Sequence, residues 1–126
     1  MKLLNKAYLR AKNIKLIIFD VDGVLTDGGL YFSDEGIELK RFNSLDGLGI
    51  KLLKQNNVEP AVISARNTPN VTYRMKNLGI EHFYQGQNDK QIAFQELLAK
   101  LSLNSDQVAY VGDDIIDLPV MRHVGL

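Results

Sequence analysis

Residues 14–19 form a near-continuous run of branched apolar side chains that stops abruptly at Asp20-Val21-Asp22-Gly23. A strand buried on both faces has this pattern, because neither side of it meets water. Comparable runs stand at residues 60–64 and 108–112, with a weaker one at 82–85. Between them, apolar residues recur at helical spacing over 47–55, 69–78 and 90–101. The last of these predicts a helix capped by Asn88, with Ile92, Phe94, Leu97, Leu98 and Leu101 turned inward. Leu3, Leu4, Ala7, Tyr8 and Ala11 predict a short amphipathic helix at the start of the chain. Strand and helix in regular alternation imply an α/β fold, a doubly wound, Rossmann-like parallel sheet with helices on both faces.

One segment breaks the alternation. Residues 29–32 and 37–42 flank Ser33-Asp34-Glu35-Gly36, whose turn chemistry predicts an antiparallel β-hairpin inserted after the first strand. With 126 residues and no repeats or linkers, the expectation is a single domain, 1–126, without a separate cap domain.

Composition narrows the function classes. Lys+Arg 15 balance Asp+Glu 15, which leaves no basic field for nucleic acid or anionic lipid. Cysteine is absent, excluding a disulfide scaffold and a thiolate metal site. The first 13 residues interleave Lys2, Lys6, Arg10 and Lys12 with apolar ones, unlike a signal peptide, and the run at 16–19 is far too short to span a bilayer. A soluble cytoplasmic protein, with no nucleic-acid or membrane partner, is expected.

Chemistry concentrates at the strand ends. In a doubly wound sheet, ligands bind beyond the carboxyl ends of the strands, where strand order reverses. The first strand delivers Asp20 and Asp22, the second Ser64 and Arg66, and the last Asp113, Asp114 and Asp117. If the first strand lies between the other two, these loops share one crevice. Carboxylates that close repel one another unless a cation intervenes, and an all-oxygen set suits Mg²⁺. Lys90, opening a helix, could then meet a phosphate as a point charge. Each residue also has a plainer reading: Ser64 as a turn hydroxyl, Lys90, Arg66 and Arg74 as solvated charges, and Asp117 as the cap of a helix beginning at Pro119. Two carboxylates one residue apart after a buried strand, followed by Gly23 and Thr26, are harder to explain that way.

Asp20-Val21-Asp22-Gly23-Val24-Leu25-Thr26-Asp27, then Ser64, Lys90 and Gly112-Asp113-Asp114-x-x-Asp117, resemble in order and strand context the four motifs of the haloacid dehalogenase phosphohydrolases. The hairpin, Phe42-Asn43-x-x-Asp46-Gly47-x-Gly49-Ile50, Ala65-Arg66 and Tyr84-Gln85-Gly86-Gln87 resemble the capless branch of that family. Its members dephosphorylate 2-keto-3-deoxy sugar acid phosphates such as 3-deoxy-D-manno-octulosonate 8-phosphate, in lipopolysaccharide sugar synthesis. The resemblance implies Asp20 as nucleophile and metal ligand, Asp22 as general acid/base and backbone ligand, and Asp113 as the remaining Mg²⁺ ligand. Ser64 and Lys90 would hold the phosphoryl group. Asn43, Asp46, Gly47, Arg66 and Arg74 would bind the rest of the sugar phosphate. Where the branch usually carries Arg, Arg and Gly, this chain has Leu45, Lys51 and Ala65. The family also continues past the position of Leu126 through a further strand, a helix and a tail, which this chain is expected to lack. Related capless phosphatases assemble as homotetramers through such hairpins, so the same assembly is expected here.

Two other classes share part of this pattern. A receiver-type phosphoacceptor domain shares the length, the fold, an acidic pair, a hydroxyl and a lysine, but takes its phosphate on an aspartate after a middle strand, and no aspartate ends the strands at 60–64 or 82–85. A truncated, inactive binding paralogue is disfavoured by the intact motifs.

Overall fold

The structure is a computed structural model that describes residues 2–126. After an exposed helix α1 (Lys2–Lys12), β1 (Leu16–Phe19) enters the interior with Leu16 and Ile18 fully buried. The hairpin strands follow as β2 (Tyr31–Phe32) and β3 (Glu38–Leu39), and then α2 (Ser44–Gln55), β4 (Glu59–Ile63), α3 (Pro69–Leu78), β5 (His82–Tyr84), α4 (Lys90–Leu101), β6 (Val108–Val111) and α5 (Leu118–Met121).

The four main strands form a parallel sheet in the order β5-β4-β1-β6. The order reverses at β1, and Phe19 pairs with both Val62 and Val111. The three strand ends that carry the acidic and hydroxyl residues therefore lie side by side.

Alternation along β1 divides the core. Leu16 and Ile18 pack with Ile63, Phe94, Leu97, Val108 and Val120 on the α4 face. The opposite face gathers Val21, Ile50, Val62, Val71 and Met75 beneath α2 and α3. Each fully buried aliphatic or aromatic side chain contributes about 1.5–3 kcal/mol of transfer free energy, so both faces hold the sheet.

Local details depart from the sequence pattern at two places in α4. Asp89, not Asn88, caps it: its carboxylate accepts from the Gln91 backbone N–H at 2.9 Å, the N2 donor that a cap satisfies. Ile92 is exposed, because the buried stripe runs through Ala93, Phe94, Leu97 and Leu98, with Ile92 turned outside it. Similarly, α2 begins three residues before the predicted Gly47, capped by Asn43 through its bond to Leu45 N–H.

The hairpin stands apart as its own two-stranded sheet, with Tyr31 opposite Leu39 and its root tied to the body by a Thr26–Phe42 bridge. Leu30, Phe32, Ile37 and Leu39 are each more than half exposed. An isolated hairpin is marginal in water, so this one depends on what its inner face touches.

Candidate active site

The end of β1 carries Asp20 into a cleft of about 220 Å³ that is lined by Asp22, Gly23, Ser64, Arg66 and Asp113, among others. Asp20 and Ser64 are buried, whereas Asp113 lies on the exposed rim. The loop holding Ser64 is braced from β5: Ser64 N–H donates to Tyr84 O at 2.8 Å, and Gln87 N–H donates back to Ser64 O at 3.0 Å. Gly86, at φ +68°, lets that chain turn so that its N–H also reaches Arg66 O.

Behind Asp20 sits a buried ion cluster. Lys90 Nζ lies 2.9 Å from Asp20 Oδ1 and 2.7 Å from Asp117 Oδ1. Tyr110 donates its hydroxyl to the same Asp117 oxygen at 2.6 Å. The other oxygen, Oδ2, accepts the Asp113 and Asp114 backbone N–H groups at 3.2 Å each. Asp117 occupies the N-cap position of α5 but gives that helix no side-chain cap bond. It is fully buried and turned inward, and Gly112 makes room for it, since a Cβ there would come within 2.6 Å of its carboxyl group. Lys90 correspondingly faces the two carboxylates and is not among the residues lining the cleft.

These contacts divide the carboxylates into two kinds. Burial pushes the Asp20 carboxyl above its ordinary value, against the opposing pull of Lys90. Burial acts the same way on Asp117, but hydrogen bonds from Lys90, Tyr110 and the backbone outweigh it and hold that carboxyl below the ordinary range. Burial and the Asp117 bond push Tyr110 far up, so it remains a donor. Asp117 is therefore the permanent counter-charge, and Asp20 is the carboxylate short of positive charge.

That shortage faces the place where a cation fits. Carboxylate oxygens of Asp20, Asp113 and Asp117 lie within 4.8 Å of one another. Both oxygens of Asp117 are already committed, so it serves from behind by fixing the 113–114 backbone. Gly23, at φ +80°, passes so close to Asp113 that a Cβ on it would lie 1.8 Å from Oδ2. Only a bare glycine lets the Asp113 carboxylate reach the front of Asp20. An all-oxygen donor set suits a hard divalent ion such as Mg²⁺.

The predicted site residues do not all meet in one cleft. Asp20, Asp22, Ser64, Arg66 and Asp113 share the cleft. Asn43 and Asp46 line a neighbouring one of about 210 Å³ with Thr26 and Arg41. Gly47 and Arg74 lie in a groove between α2 and α3, where Arg74 donates to Asn43 O at 3.0 Å. Three participants stand outside the predicted site residues: Tyr110, Glu38 and Lys40. Lys40 Nζ meets Asp22 Oδ1 at 2.5 Å, and Glu38 pairs with Arg66. The alternation Glu38-Leu39-Lys40, with charges on one side of a strand, was the available signal.

A family model described as haloacid dehalogenase-like hydrolase matches residues 48–125. The chain is 53% identical, over 93% of its length, to 3-deoxy-D-manno-octulosonate 8-phosphate phosphatase KdsC of Salmonella typhi, and spans 62% of that protein. Against the crystal structure of the Yersinia pestis phosphatase of the same name the TM-score is 0.94 at 50% identity, covering 96% of this chain and 65% of that one. The Moraxella catarrhalis phosphatase, crystallised with magnesium, phosphate and KDO, gives a TM-score of 0.92 at 45% identity, covering 96% and 70%.

Proposed function

The chain belongs to the haloacid dehalogenase-like hydrolases, and from that premise we propose that it is a Mg²⁺-dependent phosphomonoester hydrolase acting on a 2-keto-3-deoxy sugar acid phosphate. The substrate is 3-deoxy-D-manno-octulosonate 8-phosphate, and the enzyme acts in the cytoplasm as a homotetramer in lipopolysaccharide sugar synthesis. The observation that carries the reading is the placement of Asp20 and Asp22 at the mouth of one cleft with Ser64 and Asp113, backed by Lys90. The names of the Salmonella and Moraxella relatives support the sugar assignment. Among the described residues no helix is long and apolar enough to cross a membrane.

Asp20, Asp113 and the backbone carbonyl of Asp22 would hold the metal, which when bound supplies charge that neutralises the phosphoryl oxygens. Asp20 attacks phosphorus, and the bond to the sugar oxygen breaks as Asp22 delivers a proton to it. Asp22 then takes a proton from the water that cleaves the aspartyl phosphate. Ser64 binds a phosphoryl oxygen, and Lys90 offsets charge on Asp20 from behind. Arg66, which lines the cleft, offers a guanidinium to the sugar end. Asn43, Asp46, Gly47 and Arg74 lie outside this cleft, so their part in sugar binding requires the substrate to extend beyond it or a neighbouring subunit to bring them close. The exposed apolar outer face of the hairpin supports the tetramer, since a partner there would cover both the hairpin and the open cleft.

Phosphate release from a panel of 2-keto-3-deoxy sugar phosphates, with Mg²⁺ and with EDTA, tests this. Turnover confined to metal, and abolished with the phosphoenzyme in Asp20→Asn, is the expected result. A phosphoryl group trapped on any other residue would sink the assignment.

A further inference from the structure

We propose that Lys40 is a positioning residue that holds the Asp22 carboxyl in the orientation from which it exchanges protons with the leaving group and with water. The inference rests on the phosphatase reading above and assigns a role to the hairpin that is separate from assembly.

Lysine is among the residue types least often buried, because its ammonium loses hydration unless a partner replaces it. The Lys40 side chain is nonetheless only 3% exposed. Its Nζ lies 2.5 Å from Asp22 Oδ1 and 3.4 Å from Glu38 Oε1. Glu38 Oε2 in turn meets Arg66 Nη2, and the Glu38 carbonyl accepts from Asn70 Nδ2 at 3.2 Å. Glu38 and Lys40 are two residues apart and share the inward side, while Ile37, Leu39 and Arg41 are exposed. The inner edge of the hairpin is thus a strut of alternating charge from the Asp22 loop to the loop after β4.

What it does to Asp22 follows from which oxygen it takes. Oδ1 is occupied by Lys40, whereas Oδ2 has no hydrogen-bond partner among the described residues, and Asp22 lines the cleft with its side chain 33% exposed. A partly exposed aspartate would otherwise sample several rotamers, and proton transfer requires a heavy-atom approach of about 2.6–3.2 Å. Anchoring one oxygen leaves the other aimed for work. In the first half-reaction the proton on Oδ2 passes to the sugar oxygen as the P–O ester bond breaks and its electron pair stays on that oxygen. In the second, Asp22 accepts a proton from water as the new P–O bond forms and the Asp20–phosphorus link breaks. Lys40 transfers nothing.

A residue that only braced the hairpin would affect all substrates alike, whereas one that aims a general acid matters most where the leaving group needs a proton. The test measures first-turnover release of the alcohol from an alkyl sugar phosphate and of p-nitrophenol from p-nitrophenyl phosphate, using the full chain with Mg²⁺. Lys40→Met should slow the alkyl ester about tenfold or more, within the 10²–10⁴ that general acid catalysis contributes, while p-nitrophenol release changes less than about threefold. Lys40→Arg, which keeps a buried cationic donor, should recover most of the loss. If Lys40→Met does not fold, Lys40→Gln is read the same way. Equal losses on both esters, or no loss on either, would overturn the proposal. A wild-type chain inactive on both overturns the phosphatase reading itself.

Discussion

Asp117→Ala should be among the most destabilising single changes in this chain, although Asp117 does not itself line the cleft. The substitution removes an acceptor that Lys90 contacts at 2.7 Å and the Tyr110 hydroxyl at 2.6 Å, and that two backbone N–H groups reach at 3.2 Å. Lys90 is left buried with Asp20 alone, and a hydroxyl and two amides lose their partner. Removing one member of a buried ion pair costs about 3–5 kcal/mol. At about 2.1 cal/mol/K of unfolding entropy per residue, a 126-residue chain should lose roughly 11–19 °C in Tm. Adding Lys90→Met removes the stranded charge, so the double variant should be more stable than the sum of the singles by about 1–3 kcal/mol. The pH dependence has a definite sign. The folded carboxyl lies below its unfolded value, so its contribution is complete above the ordinary aspartate range and is lost as pH falls through the folded value. Thermal melts of wild type and variants between pH 3 and 7 would measure all three effects. A Tm loss under about 4 °C, strict additivity with Lys90→Met, or a variant as acid-sensitive as wild type would each refute the reasoning.

The remaining predictions concern the cation and the hairpin. Mg²⁺ at a hundredfold excess over Kd should stabilise the native chain by about 2.7 kcal/mol, and Asp113→Ala should abolish most of that shift in a thermal melt. The Mg²⁺ effect should weaken on acidification, because burial raises the Asp20 carboxyl and protons then compete for it earlier than for an ordinary aspartate. Gly23→Ala places a methyl against the Asp113 carboxylate at a positive φ, so it should lower Mg²⁺ affinity in a titration by at least tenfold. Ile37→Lys with Leu39→Lys should dissociate the proposed tetramer in sedimentation, and a monomeric wild type would refute that interface.

Much of this molecule follows from period and spacing alone. The runs ending at Phe19, Ile63 and Val111 are strands because apolar residues without alternation must be buried on both faces, and the helices between them require a parallel sheet. The acidic pair Asp20 and Asp22, Ser64 and Asp113 lie at the ends of those strands, so their convergence needed only the strand order, with β1 between β4 and β6. The roles of Asp117, Tyr110 and Lys40 were decided by tertiary structure. Locally, Asp117 stands two residues before Pro119 and suits a helix cap. Only the bare Gly112 beside it and the approach of Lys90, 27 residues away, turn it inward. Lys40 looks like a solvated charge until the hairpin folds over Asp22, 18 residues earlier. The separation of Asn43, Asp46, Gly47 and Arg74 from the phosphate cleft is likewise invisible in a motif, because it depends on how α2 and α3 pack. Periodicity reports whether a side chain meets water or the core. Which buried charge meets which is set by contacts between residues distant in sequence, and spacing along the chain carries no record of them.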